Sequence, residues 1–100
     1  MTIVEFLFAR LDEDERAAHA ASSASGGPAR ARADVDAKRR IVRGYVTAHD
    51  TCMNGLGEHG PAAALPAADS WAALHAWRRA LEHLAVVYES HPDYEDSWRG

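Results

Sequence analysis

The stretch SWAALHAWRRALEHLAVVYESHPDYEDSWR, residues 70–99, decides the fold of this chain and contains all three of its tryptophans. Its apolar residues recur at intervals of three and four, the spacing that places side chains on one face of an α-helix. They are Leu74, Trp77, Leu81, Leu84 and Tyr88. The pattern predicts a core helix over 70–89. Pro92 ends that helix, because the residue before a proline disfavours the α conformation, and it can open a short last helix over 92–98.

Two further helices are predicted before this stretch. Thr2 and Glu5 have the spacing of a capping box, and an apolar stripe follows them, which predicts a first helix over 3–21. A second helix is predicted over 28–47, since it begins with proline and carries acid-before-base pairs at helical spacing. Gly44 in this helix indicates either close packing of a neighbouring helix or a weak point.

The connections complete the predicted architecture. Residues 22–27 have the composition of a flexible linker, and 49–69 are rich in glycine, proline and alanine. No stretch alternates as a strand would. The sequence therefore predicts a single all-α domain over 1–100. It is a three-helix antiparallel bundle with a short C-terminal helix and a long Gly/Pro/Ala loop between the second and third helices.

Composition limits the classes of function. The chain has 100 residues, 15 acidic and 11 basic, and a net charge of −4. So small a domain has a marginal core, and a homodimer that hides an apolar helix face would relieve this. The single cysteine allows no intrachain disulfide and fits a reducing compartment. With no apolar run of about 18 residues and no basic segment typical of a signal peptide, we expect a cytoplasmic protein without membrane contact.

Three blocks of sequence resemble a known family. They are IVEFLFARLDEDE (3–15), PARARADVDAKRRIV (28–42) and LAVVYESHPDYEDSWR (84–99). In this order they resemble a small family of uncharacterised proteins from high-GC Gram-positive bacteria and their phages, with ARLDEDE, PAR…AKRRI and HPDYxxxWR blocks. The resemblance implies a phage-related or accessory-gene context, which favours binding or regulation, and it supplies no catalytic residue.

A metal site is one candidate function. His49, Cys52 and His59 form an H-x2-C-x6-H pattern in the glycine-rich segment, and imidazole and thiolate are good zinc ligands. Established zinc signatures show two close pairs, however, and only one is present here. The alternative is that Cys52 is a small buried residue. We favour that interpretation and predict neither a metal nor a cofactor.

Nucleic-acid binding is a second candidate. Arg32, Arg39 and Arg43 share one face of the second helix, and phosphate binding needs such a density of positive charge. Asp36 interrupts this face, and the rest of the chain is acidic. The alternative is a solvated face whose arginines pair with the acids at 12–15 of the first helix, and we favour it.

Catalysis is a third candidate. His91 and Asp93 flank a proline, and His83 lies two turns earlier, so a His/Asp pair could act in general acid–base chemistry. No poised nucleophile or phosphate-binding loop accompanies them. A helix stop, a proline start and an aromatic anchor explain the same residues, and we predict no enzymatic activity.

An interaction surface is the fourth candidate and our leading hypothesis. Trp71, Trp77, Tyr94 and Trp98 together exceed what alanine-rich helices can be expected to bury. They predict a non-enzymatic interaction or regulatory protein that forms a homodimer or binds another protein. The alternatives are a nucleic-acid-associated accessory protein that uses the helix over 28–47 and a metal-binding module at 49–59.

Overall fold

A computed structural model describes residues 1–20, 27–58 and 68–100. It contains three α-helices and one 3-10 helix, and the described part of the chain has no strand. They are α1 (Ile3–Ala20), α2 (Gly27–Glu58), α3 (Ala68–Val86) and η1 (Asp96–Arg99). The predicted all-α bundle of three helices with a short C-terminal helical element is confirmed. Most of the predicted linker at 22–27 lies outside the described residues.

The start of α1 follows from its capping box. The side-chain oxygen of Thr2 accepts the backbone N–H of Glu5 at 3.1 Å, and the Glu5 carboxylate accepts the backbone N–H of Thr2 at 2.9 Å. Both free donors at the helix start are thereby satisfied. The backbone hydrogen bond from Thr2, followed by that from its hydroxyl, holds the pKa of Glu5 below its usual value.

α2 is longer than its sequence pattern predicts. It ends at Glu58 rather than near 47, so residues 49–58 of the predicted loop are helical. Two glycines in this part cost about 1 kcal/mol each relative to alanine, but residues 49–58 contain no proline. Cys52 is buried and its Sγ lies 3.4 Å from the carbonyl oxygen of Ser70. This packing against α3 supports the helix, and the remainder of the predicted loop, 59–67, lies outside the described residues.

The helices run antiparallel in chain order. Arg39 of α2 pairs with Asp12 of α1, and the indole of Trp77 in α3 packs over Gly44 of α2. α1 and α3 therefore both lie against α2 and run parallel to each other. The molecule measures 59 × 26 × 17 Å, since the 32 residues of α2 span about 48 Å.

The core lies where the three helices and η1 meet. It takes one apolar stripe from each α-helix and the tryptophan of η1. The buried members are Ile3, Phe6, Leu7, Leu11, Val35, Val42, Leu81, Ala85 and Trp98. The stripe that α1 contributes contains Ile3, Phe6, Leu7 and Leu11, while Val4 and Phe8 are only partly buried beside it.

The C-terminal segment differs from its predicted helices. α3 ends at Val86 rather than at 89, because the next three backbone N–H groups, at 87–89, donate to the carbonyl three residues earlier, and this tightens the last turn. The chain turns at Pro92, and η1 begins only at Asp96. Trp98 is 4% exposed, so this segment folds back onto the bundle as one turn rather than as a helix over 92–98.

Candidate functional site

Arg10 joins the first and last family-like blocks. Its guanidinium is buried, with 7% of the residue exposed, and Nη1 lies 2.8 Å from Nδ1 of His91 and close to Nε2 of the same ring. Arginine can only donate, so the imidazole acts as acceptor. Nη2 of Arg10 donates to the Glu13 carboxylate at 3.0 Å. His91 Nδ1 also accepts the backbone N–H of Asp93 at 3.0 Å, and His91 thereby fixes the turn at Pro92 to α1.

Tyr88 makes a second link between the same blocks. Its hydroxyl donates to Oδ2 of Asp14 at 2.5 Å. Burial of the phenol and the hydrogen bond to this carboxylate raise the pKa of Tyr88 well above its usual value. Tyr88 is therefore a protonated donor at neutral pH, and this pair holds the end of α3 against α1.

Phe6 is the centre of an aromatic cluster beneath these polar links. Its ring centroid lies 4.9 Å from that of Trp98, 5.6 Å from His91 and 6.2 Å from Tyr94. Tyr94 and Trp98 contact each other edge to face at 5.6 Å. Such pairs stabilise beyond their buried area. The HPDYEDSW segment is thus an aromatic anchor that closes the core.

Arg39 brings the middle block to the first. Its Nη2 lies 2.7 Å from Oδ1 of Asp12 and 2.9 Å from Oε2 of Glu15. These bonds raise the pKa of Arg39, and the bond from Arg39 holds the pKa of Glu15 below its usual value. The middle and last family-like blocks therefore each pair with the first block, and these polar contacts hold α2 and the C-terminal segment against α1.

Of the candidate metal ligands, the structure describes His49 and Cys52. Cys52 is 1% exposed, with its Sγ against the Ser70 carbonyl. His49 lies beside Asp50 at 3.6 Å and tilted against the Tyr45 ring at 6.0 Å. His59 is outside the described residues. Within 1–20, 27–58 and 68–100, no three histidine, cysteine, aspartate or glutamate side chains are placed to hold an ion.

The candidate phosphate-binding arginines have different environments. Arg39 pairs with carboxylates of α1. This agrees with the interpretation of the second helix as a solvated face whose arginines pair with the acids at 12–15. Arg32 and Arg43 are exposed. Arg32 lines a polar groove of about 400 Å³ between the end of α1 and the start of α2, together with Glu15, Asp36 and others. Carboxylates share this groove, which weakens its attraction for phosphate.

The candidate acid–base residues also lie apart. His91 is half-buried against Arg10, whereas His83 is exposed on the outward side of α3. Asp93 contacts His91 only through its backbone N–H. His91 and Asp93 thus fix the C-terminal turn, and no hydrogen bond joins His83 to either of them.

Of the four candidate interaction residues, only Trp77 is exposed. Trp98 is buried and Tyr94 packs on the core, so both contribute to the fold of the protomer in this structure. Trp71 is half-buried. Trp77 is 36% exposed, and the rest of its indole lies over Gly44, where an added Cβ would meet a ring carbon at 2.5 Å. The close-packing interpretation of Gly44 is confirmed.

A helix face that the sequence patterns missed is the outer face of α3. It consists of residues that recur at intervals of three, four, three and four: Ala73, Ala76, Ala80, His83 and Val87. All are exposed except the half-buried Ala80. Val87 follows the helix directly and is 66% exposed. No acidic or basic side chain other than the histidine lies in this face, and Arg79 at its edge pairs with Glu82 at 3.3 Å. Alanine gives a weak apolar signal, which is why the sequence analysis passed over it.

A second apolar feature is a shallow groove of about 260 Å³ at the start of α1. Ile3, Val4, Tyr45 and Val46 supply its apolar lining, and Arg78 lies among its other lining residues. It is open to solvent, and Thr2 and His49 are its other polar lining residues. The groove lies where α1 begins beside α2 and α3.

Comparison with known proteins gives one family. A model described as "Family of unknown function (DUF6221)" matches residues 1–100. No curated protein and no solved structure matches the chain. Over the described residues, the helices are too short or too polar to cross a bilayer.

Proposed function

Because the chain belongs to the DUF6221 family, whose function is unknown, we propose a role from its own surfaces. The protein is a small, non-enzymatic interaction or regulatory protein that binds protein partners, itself included, through the outer face of α3. One observation carries this proposal, namely an uncharged apolar helix face that lies in contact with water.

The two outward helix faces of the bundle differ in character. On α2 the exposed residues include Asp36, Arg40, Arg43, Thr47 and Asp50, the polar pattern expected where a helix meets solvent. The outer face of α3 has alanine and valine instead. Three of the large apolar side chains that are most exposed in the described residues lie in or beside it. They are Trp77 at 36%, Val86 at 37% and Val87 at 66%.

An apolar patch bordered by polar residues is typical of protein-binding surfaces. Here Arg79 with its partner Glu82 supplies the polar border on one side, and the partly exposed Trp77 lies on the other. Tryptophan and arginine are the residue types most enriched where binding energy is concentrated. The face therefore has both the apolar centre and the border that a partner helix needs.

The proposal that the protein is not an enzyme rests on the contacts that its titratable side chains make. The hydrogen bonds from Arg10 to His91 and from Tyr88 to Asp14 join α1 to the C-terminal segment. Cys52 is a buried free thiol, which suits the reducing conditions of the cytoplasm, where we place the protein.

The test compares charge insertion on the two outward faces. Ala76→Glu places a carboxylate in the outer face of α3, and Thr47→Glu places one at an equally exposed position of α2. Sedimentation velocity at micromolar concentrations should show association for the wild type and for Thr47→Glu, and a monomer for Ala76→Glu. Far-UV circular dichroism should show all three proteins equally helical.

Two outcomes would count against the proposal. A wild-type protein that stays monomeric up to the highest concentration would remove self-association. Association of Ala76→Glu with the same concentration dependence as the wild type would remove the outer face of α3 as the surface involved.

A further inference from the structure

We propose that His91 makes the docking of the C-terminal segment, residues 91–99, dependent on pH. The segment is held on α1 while the His91 imidazole is neutral, and protonation of the ring releases it from Arg10. This inference is independent of the outer face of α3 and adds a conformational switch to the protein. It rests on the direction of the hydrogen bonds that the imidazole accepts and on the burial of the arginine that donates to it.

The imidazole of His91 is an acceptor in both of its polar contacts. Its Nδ1 lies 2.8 Å from Nη1 of Arg10 and accepts the backbone N–H of Asp93 at 3.0 Å. A guanidinium and a backbone amide nitrogen can only donate, so the ring has to offer a lone pair. An imidazolium has a proton on each nitrogen and no lone pair left. Protonation of His91 is therefore incompatible with both contacts.

Arg10 is placed so that it cannot adapt to a charged ring. The residue is 7% exposed, and its Nε has no hydrogen-bond partner among the described residues. Its Nη2 donates to Glu13 at 3.0 Å. A protonated His91 that stayed in place would press a second cation against a guanidinium that water scarcely reaches, and burying such an unpaired charge is costly. The charged ring must therefore leave Arg10.

The charged groups that α1 and α2 place around the ring are already paired. On α1, Glu13 is bonded to Arg10, and Asp14 accepts the Tyr88 hydroxyl at 2.5 Å. On α2, Asp34 is near enough to contribute to the raised pKa of Tyr88, and it pairs with a lysine of its own helix at 2.7 Å. None of these carboxylates forms an ion pair with His91, so none is positioned to hold its proton.

The charged groups of the C-terminal segment do not hold that proton either. Asp93 meets the ring through its backbone N–H, and its carboxylate is in the exposed part of the turn. Arg99 pairs with Glu89 at 2.6 Å and with Asp96 at 3.2 Å. The balance of contacts around His91 therefore favours the neutral ring when the segment is docked.

Release of His91 would open the aromatic cluster from its edge. The His91 ring lies against Phe6 with centroids 5.6 Å apart, and Phe6 in turn contacts Trp98 at 4.9 Å. The bond from Tyr88 to Asp14 does not involve the imidazole, so the end of α3 stays on α1. The movement is confined to the residues after Tyr88, and it uncovers aromatic surface that the docked segment hides.

The sign of the pH dependence follows from the neutral ring. Histidine ordinarily gains its proton between about pH 8 and pH 5. Because the docked segment takes the neutral imidazole, docking is complete above this range and is lost as pH falls through it. The ratio of released to docked chains should rise by at most about tenfold per pH unit, the limit for a single proton.

Nuclear magnetic resonance of the full chain tests this switch. The indole N–H signal of Trp98 reports whether the segment is docked, and the Cε1–H signal of His91 reports its protonation. Both are followed from about pH 8 to pH 5, above the ordinary carboxyl value of 4.5. His91→Asn is the variant that does not titrate, because asparagine can still accept the N–H two residues on. His83→Gln removes an exposed histidine of α3 and is the matched control.

In the wild type and in His83→Gln, the signal of buried Trp98 should decrease as His91 gains its proton, and it should return when the pH is raised. In His91→Asn it should keep its buried position throughout. Arg10→Gln is a second variant in case His91→Asn fails to fold. Its amide can donate to a neutral ring and accept from a charged one, so it too should lose the pH dependence.

Two results would overturn the inference. One is a wild-type Trp98 signal that does not change down to pH 5, whether or not the His91 ring titrates. The other is a His91→Asn or Arg10→Gln protein that loses the buried Trp98 signal over the same pH range as the wild type, since the switch would then lie in another group.

Discussion

At the scale of single residues, Gly44 is explained by the indole of Trp77. A Cβ at position 44 would lie 2.4–2.8 Å from ring carbons. We expect Gly44→Ala to destabilise the protein although alanine favours helix by about 1 kcal/mol, since overpacking costs typically about 1–3 kcal/mol. Urea unfolding measures the difference. In a Trp77→Ala background the same substitution should instead stabilise, and stabilisation in the wild type would contradict the close packing.

The raised pKa of Tyr88 predicts that the stability of the protein declines at alkaline pH. Its pKa is raised above the ordinary value of 10.0, first by burial and then by its bond to Asp14. Above about pH 10 the unfolded chain releases a proton that the folded chain keeps. The stability from this group is therefore complete below that pH and declines as pH rises. Thermal melts from pH 7 to 11 should show this decline.

The matched variants for this measurement are Tyr88→Phe and Tyr45→Phe. Tyr88→Phe should be less stable at neutral pH by about 1 kcal/mol, the usual contribution of a hydrogen bond. It should then lose stability less steeply than the wild type above pH 10. Tyr45→Phe should keep the wild-type slope. If Tyr88→Phe parallels the wild type throughout, the Asp14–Tyr88 bond does not operate in solution.

Single residues show how far sequence reasoning reaches. The capping box at Thr2 and Glu5 could be predicted, because all of its partners lie within four residues. The role of Gly44 could be narrowed to two alternatives but not decided, since the deciding side chain lies 33 positions away. The partner of the Trp98 anchor could not be predicted for the same reason, because Phe6 lies at the other end of the chain.

At the scale of elements, Arg39 couples α2 to α1. Arg39→Ala should lower the urea midpoint, and the loss should shrink at high salt because the carboxylate partners are exposed. Arg43→Ala, on the solvent side of α2, is the matched control and should be neutral. Equal effects of the two substitutions would show that the bonds to Asp12 and Glu15 contribute nothing specific.

The bond between Arg39 and Glu15 makes the stability of the contact between α1 and α2 depend on acid pH. The pKa of Glu15 is lowered, chiefly by its hydrogen bond from Arg39. Its stabilising contribution is therefore present above the ordinary carboxyl value of 4.5 and is lost as pH falls through the lowered pKa. Glu15→Gln should remove this part of the acid sensitivity, as measured by melts between pH 2 and 6. An unchanged acid profile would contradict the assignment.

The C-terminal segment depends on Trp98. Trp98→Ala should destabilise by about 3–5 kcal/mol, the usual range for a buried tryptophan, whereas Trp71→Ala, at a half-buried position, should cost less. Trp98→Phe provides an intermediate if the alanine variant fails to fold. Urea unfolding measures the free energy of unfolding of the three variants. An equal loss of stability for Trp71→Ala and Trp98→Ala would contradict the closure of the core by η1.

Element boundaries were predictable where local signals decide and not where packing does. The starts of α1 and α2 follow from a capping box and a proline. The extension of α2 to Glu58 is disfavoured by the low helix propensity of its glycines, and the burial of Cys52 beside α3 supports it. The outer face of α3 was missed because five residues of modest hydropathy give no signal until the other faces are known to be occupied.

At the scale of the whole molecule, the residues that join the blocks are distinct from those of the proposed binding face. Arg10, Arg39, Tyr88 and His91 join the three blocks into one bundle, and none of them lies in the outer face of α3, although Val87 of that face belongs to the last block. Substitutions of the four joining residues should therefore reduce stability, and substitutions in the outer face should reduce association and leave the melting temperature of the dilute monomer close to that of the wild type.

The measurement that tests the central claim most directly is small-angle X-ray scattering over a concentration series. The protomer has a mass of 10.9 kDa and a radius of gyration of 16.7 Å. If α3 pairs with α3 of a second copy, the scattering mass should rise to twice that of the protomer, with a larger radius of gyration, and Ala76→Glu should remain at the protomer values. A protomer mass and radius for the wild type at every concentration would contradict the account.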